Sequence, residues 1–140
     1  DKYDQSTICM FKIMNIEEIN KKLGREVGTY LIEELSNVVK RNISSQYIFV
    51  RYMGPKFAIA FSGVDIEGVE NFVNSIKEEI ETIEIAKEEK NKKKQKEKIF
   101  AQMNFVLTTY YKGTGLEEVT KKLEEYLDDC DKDESNINCI

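Results

Sequence analysis

Histidine and tryptophan are both missing from this 140-residue chain. Without histidine there is no Ser-His-Asp triad, no imidazole general base, no zincin motif and no phosphohistidine relay. Cysteine is scarce: three residues, Cys9, Cys130 and Cys139, with no C-x-x-C spacing. A closed zinc site takes four nitrogen or sulfur ligands, more than these residue types supply. The odd count argues against a disulfide framework, and the simplest compartment is the reducing cytosol. Proline occurs once, at Pro55. No apolar run reaches the roughly 18–20 residues of a membrane span, and no secretory leader is visible. The chain opens on Asp1 rather than Met, so it reads as a piece of a longer protein, with room for a sensor or membrane segment outside it.

What is present is a globular composition. Hydrophobic residues make up 41%, aromatics 10% and charged residues 34%. The signs are mixed, with 21 Lys+Arg against 26 Asp+Glu and a net charge of -5. That length suits one domain with a real core. No internal repeat and no second domain is visible.

Ser6 to Met14 is β-rich and mostly apolar, the pattern of a buried strand. Asn15 follows, with Glu18 three residues on, which predicts an N-cap with a reciprocal carboxylate. Ile16, Ile19 and Leu23 recur at helical spacing, Gly24 interrupts, and a second helix is expected from about Gly28 to Arg41. Gln46 to Met53 reads as a strand, with Tyr47, Phe49 and Arg51 on one face and Ile48, Val50 and Tyr52 on the other. Gly54-Pro55 is a turn signal, and Lys56 to Phe61 returns as the second arm of a hairpin. Asp65 suits the cap of a helix with Val69, Phe72, Val73, Ile76 and Ile80 as its stripe. Thr82 to Ala86 is a candidate short strand and Phe100 to Tyr111 a long one. Leu116 to Leu127 closes as a helix with Leu116, Val119, Leu123 and Leu127 inward. The order β-α-α-β-β-α-(β)-β-α predicts an α+β sandwich. It is a split βαβ arrangement whose sheet is antiparallel at its core, with helices mainly on one face.

Two segments break the pattern. Lys87 to Lys98 carries seven lysines and three glutamates, the composition of a charged surface insertion. Such a run can attract nucleic acid, anionic lipid or an acidic protein, but the interspersed glutamates and the lack of aromatics and arginine favour a solvated loop. The residues from Asp128 onward are acidic and read as a frayed tail, so the domain is placed at 1–127 and the tail at 128–140. Asp129, Asp131 and Asp133 have the opening rhythm of a calcium loop, but Glu134 and Ile140 stand where Gly and Glu belong, and calcium is dismissed. Cys9 reads as a buried strand residue, Cys130 and Cys139 as incidental thiols.

At Asn20-Lys21-Lys22-Leu23-Gly24-Arg25-Glu26-Val27-Gly28, and again at Arg51-Tyr52-Met53-Gly54-Pro55-Lys56-Phe57, the chain resembles the GGDEF family, the diguanylate cyclase domains of bacteria. The family's blocks read D-x-D-x-F-K-x-I-N-D-x-x-G-(H/R)-x-x-G-D and R-Y-G-G-(D/E)-E-F, and the spacing between them fits without a gap. Leu116-Glu117-Glu118-Val119 weakly echoes the start of the family's last helix. The resemblance implies a palm-like ferredoxin-type fold. It also implies a reaction in which two GTP molecules meet across a homodimer, with carboxylate-bound divalent cations neutralising the phosphates.

On that alignment the chemistry is lost. The two metal-binding aspartates fall on Lys12 and Met14, the signature carboxylate on Pro55 and the next glutamate on Lys56. An ammonium repels a divalent cation, a thioether is too soft for Mg²⁺, and proline has no donor. Asn20 keeps the guanine-contacting asparagine, but its aspartate partner becomes Thr29. Met53 replaces a glycine where backbone must approach nucleotide. The phosphate-contacting lysine aligns with Glu17, and a later Lys and Arg align with Asp131 and Ser135. The product-inhibition motif R-x-x-D falls on Ser44 to Tyr47, where its charges are absent.

The resulting expectation is a catalytically inactive GGDEF-like signalling module of a larger bacterial protein. It binds a protein partner, another domain of its own chain or a second copy of itself. It has no metal or other cofactor, binds no DNA, inserts no segment of its own in a membrane and sits in the cytoplasm. The alternative is a regulatory GTP-binding domain resting on Asn20 and Thr29. Arg51 and Tyr52 are expected to serve strand pairing, and Gly54 the hairpin turn.

Overall fold

A computed structural model of the chain describes residues 5–52, 54–85, 99–130 and 135–140. The elements run β1 (Gln5–Ile13), α1 (Ile16–Leu23), α2 (Arg25–Asn42), β2 (Ile48–Arg51), β3 (Phe57–Ser62), α3 (Ile66–Glu81), β4 (Met103–Tyr111), α4 (Leu116–Asp129) and β5 (Asn136–Cys139). They form one five-stranded sheet in the order β2-β3-β1-β4-β5. Its pairs are antiparallel except β4 with β5, which is parallel. This is the mixed, antiparallel-cored α+β sandwich that the element order predicts.

β1 lies at the centre, which explains its unbroken apolar run: both of its faces are covered. Cys9, Phe11 and Ile13 point into a core shared with α1, α2 and α3. Ile8 and Met10 point the other way, into a smaller core with Leu123 and Leu127 of α4. Three helices thus cover one face and a single helix the other. Burial pushes the Cys9 thiol above its ordinary pKa, so it stays protonated and inert. Among the described residues no helix is long and apolar enough to cross a membrane.

Several local expectations change in three dimensions. Asn15 makes no cap bond to α1. Its side-chain amide donates to Phe100 O at 2.9 Å, and its Oδ1 accepts from Gln102 N at 2.9 Å, tying the end of β1 to the approach to β4. The expected cap at Asp65 is made, with Oδ1 accepting from Gly68 N at 2.8 Å. Gly24, at φ 96, separates two helices, and α2 begins at Arg25 rather than Gly28. β2 is shorter than 46–53, with Phe49 stacked on Phe57 and Tyr47 tilted against Phe61 on the covered face, and Ile48 and Val50 exposed on the other. The strand expected at 82–86 is reduced to one bridge between Ile85 and Ile99. β4 begins at Met103, because 100–102 are engaged by Asn15 and Met14. Leu116 is not inward: it is exposed at the first turn of α4, before that helix reaches the sheet.

The largest correction concerns the C-terminus. α4 runs to Asp129, and the expected fraying does not hold for 136–140, which add a strand. Ile137 packs on the main core, Ile140 N donates to Leu107 O at 2.9 Å, and Asn138 donates to Asn104 Oδ1 at 2.7 Å. Three apolar or pairing positions in an otherwise acidic run were enough to close the sheet edge. The Lys87–Lys98 segment lies outside the described residues.

Candidate functional site

β-strand alternation decides where the positions singled out from the sequence go. Phe11 faces the three-helix side of the sheet, so Lys12 faces α4; Phe57 faces the three-helix side, so Lys56 also faces α4. The two lysines come from adjacent strands. They meet over the C-terminal half of α4, beside the turn that joins β2 to β3.

That turn is built from its own residues. Tyr52 N donates to Lys56 O at 2.7 Å and Arg51 Nε donates to Gly54 O at 2.8 Å. Gly54 takes a left-handed φ of 56, which a glycine adopts without strain. The guanidinium of Arg51 also lies 6.0 Å from the Phe57 ring centre. Arg51 and Tyr52 therefore support the hairpin, as their strand pattern predicts. Met53 lies outside the described residues.

Lys56 is 8% exposed. Its ammonium sits 2.8 Å from Asp128 Oδ1 and 3.2 Å from Glu124 Oε1, both on α4. Burial pulls its pKa down, but the hydrogen bonds and charges of Asp128 and Glu124 outweigh that pull, and the net shift is upward. Lys12 reaches the same Asp128 at 3.8 Å. Glu124 and Asp128 are ion-pair partners of these lysines that the sequence pattern did not single out. The available signal was an i, i+4 pair of acids beside the apolar stripe of Val119, Leu123 and Leu127.

A cleft of about 140 Å³ opens here, lined among others by Lys12, Met14, Glu17, Pro55, Asp128 and Cys130. It is smaller than the roughly 300–1,000 Å³ of typical small-molecule sites. Met14 is buried and its N–H donates to Gln102 O at 2.7 Å. The structure thus brings Lys12, Met14, Pro55 and Lys56 together.

Asn20 and Thr29 lie elsewhere, at the junction of α1 and α2. The Asn20 amide rests on Gly28: a Cβ added there would stand 1.7 Å from Asn20 Oδ1. Thr29, the next residue, is exposed. Gly28→Ala is therefore expected to depend on Asn20. In the natural background the new methyl must displace the amide and little is gained. In an Asn20→Ala background the same change should stabilise by about 1 kcal/mol, the usual helix gain of alanine over glycine. A double-mutant cycle of urea unfolding reads the difference. Of the remaining aligned positions, Ser135 donates to Glu81 Oε2 at 2.5 Å, and Asp131 lies outside the described residues.

Comparison with known proteins follows the same fold. The family model described as "Diguanylate cyclase, GGDEF domain" matches residues 1–136. The GGDEF domain of DgcB from Caulobacter crescentus, solved with c-di-GMP, has a TM-score of 0.81 at 15% identity, covering 96% of this chain and 77% of that one. The active GGEEF domain of a diguanylate cyclase from Vibrio cholerae has a TM-score of 0.75 at 16% identity, covering 98% and 83%. The diguanylate cyclase SiaD from Pseudomonas aeruginosa, solved with its activator SiaC, has a TM-score of 0.78 at 11% identity. The alignment covers 98% of this chain but only 50% of SiaD. No curated protein matches.

Proposed function

This chain belongs to the GGDEF family of diguanylate cyclase domains, and from that premise we propose that it is a non-catalytic member that signals through protein contacts. The observation that carries the reading is the charge of the cleft. Where the family resemblance places metal-binding carboxylates, the chain has Lys12, Met14, Pro55 and Lys56, and both ammonium groups already face carboxylates of α4. Cyclisation of GTP depends on cations that neutralise developing phosphate charge, an effect worth several kcal/mol. This donor set does not fit them. The thioether of Met14 is soft, Pro55 has no donor, and the lysines are themselves cations.

The fold then serves as a platform. SiaD is solved with a protein activator, and a comparable use here is docking to a protein partner, to another domain of the same chain or to a second copy, on the cytoplasmic side. The whole protein's partners and architecture belong to this proposal.

Calorimetric titration with GTP, with and without Mg²⁺, and then with cyclic di-GMP, tests it. No saturable heat is expected for any of them. Saturable GTP binding that disappears in Asn20→Ala would replace this reading with a nucleotide-sensing domain. As a second arm, the variant Lys12→Asp/Met14→Asp/Pro55→Glu is expected to make no cyclic dinucleotide, because Thr29 and Glu17 still lack the nucleotide contacts. Product from that variant sinks the claim that both metal and nucleotide recognition are gone.

A further inference from the structure

The C-terminal half of α4 is electrostatically awkward on its own. It carries Glu124, Glu125, Asp128 and Asp129, and its last turn has no basic residue. Carboxylates at that end oppose the helix dipole, and Glu124 and Asp128, one turn apart, repel each other. A cation placed there offsets both effects. Among the described residues no cluster of His, Cys, Asp and Glu is arranged to hold a metal ion.

We propose that Lys12 and Lys56 are built-in counter-cations that clamp α4 to β1 and to the Tyr52–Lys56 hairpin. The clamp holds that hairpin in place without a divalent metal. The geometry carries it. The Lys56 ammonium bridges two carboxylates at 2.8 and 3.2 Å, and Lys12 adds a second cation at 3.8 Å from the same Asp128. The root of Lys56 is fixed as well, since its carbonyl accepts the bond that closes the hairpin. One side chain therefore couples the signature turn to the last helix. Lys56 and Asp128 form the strong link because the ammonium is nearly buried; the link from Lys12 is long and adds less. The charged groups facing the cluster are Lys12 from β1, Glu17 from α1, Lys56 from the hairpin, and Glu124 and Asp128 from α4. The clamp stands on these distances and rests on the proposed function only for its independence of metal.

The test is thermal unfolding of the full chain. Asp128→Asn removes an acid from a helix C-terminus, which by the dipole alone raises stability. The clamp predicts the opposite sign, a fall in Tm of about 3 °C. Asp129→Asn, next to it and outside the clamp, is expected to leave Tm level or raise it by about 1 °C. Lys56→Met combined with Asp128→Asn is expected to fall by less than the sum of the two single changes. A rise in Asp128→Asn equal to that in Asp129→Asn overturns the clamp, and so does strict additivity. Should Lys56→Met not fold, the contrast between Asp128→Asn and Asp129→Asn decides alone. Tm of the natural chain is expected to agree within about 1 °C in EDTA and in millimolar Mn²⁺. A saturable rise with Mn²⁺ overturns metal independence and counts against the proposed function too. Failure of the helix variants alone removes the clamp and leaves that function standing.

Discussion

Phe11→Ala is expected to cost about 3–5 kcal/mol, the range for removing a fully buried phenylalanine. Phe11 is completely buried at the centre of β1, with ring centroids 5.8 Å from Phe57 and 5.0 Å from Phe105, both stacked. Phe49 extends the stack from Phe57 at 5.7 Å. The ladder Phe49–Phe57–Phe11–Phe105 therefore crosses β2, β3, β1 and β4, and alanine at its middle leaves a cavity that the rings of Phe57 and Phe105, on the two neighbouring strands, border. Domains of this size are stable by about 5–15 kcal/mol in total, so the loss is a large share. Urea unfolding should show the midpoint falling by about 2 M at the slopes usual for small proteins. Phe11→Leu keeps most of the volume and should cost about 1–1.5 kcal/mol. A Phe11→Ala midpoint within about 0.3 M of the natural chain would mean that the ladder does not organise the sheet.

Asn15→Ser is expected to be nearly as damaging as Asn15→Ala, each costing about 2–4 kcal/mol. An N-cap role predicts otherwise, because serine caps about as well as asparagine. The bridge explains the difference. Asn15 donates to Phe100 O and accepts from Gln102 N, residues more than eighty positions away, while only 6% exposed. Serine reaches neither group across that gap, and the backbone groups of 100–102 lose their partners where Met14 N also bonds Gln102 O. Asn15→Asp keeps the acceptor for Gln102 but sets a carboxylate against the Phe100 carbonyl, so it should not rescue. Chemical unfolding of the three variants gives the order; a serine variant as stable as the natural chain would return Asn15 to the role of a cap.

Asn15 also marks the boundary of what the sequence discloses. Its neighbours Ile16, Ile19 and Leu23 were legible as an amphipathic helix because helical periodicity is local. The partners of its own side chain were not, because they arrive from the far end of the chain. The same division holds at β5. Asp128 to Ile140 looks frayed when charge is read along the chain. It becomes a strand because β4 offers an open edge and a place for Ile137. Leu116 shows the converse: its spacing fits the apolar stripe of α4, yet its turn projects past the sheet.

The sequence by itself determined the order of the elements from β1 to α4, apart from the strand expected at 82–86, together with the hairpin at Gly54-Pro55 and the burial of β1; the blocks at 20–28 and 51–57 carried the resemblance to the GGDEF family. The elements follow from residue type and from periods of 2 and 3.6, which act over a few neighbours. Only the tertiary structure decided that Lys12 and Lys56 converge on Asp128, that Glu124 joins them, and that Asn20 rests on Gly28. Ionic and polar contacts depend on which faces of separate elements meet, and that choice is made by burying the apolar faces, with the charges carried to wherever the core leaves them.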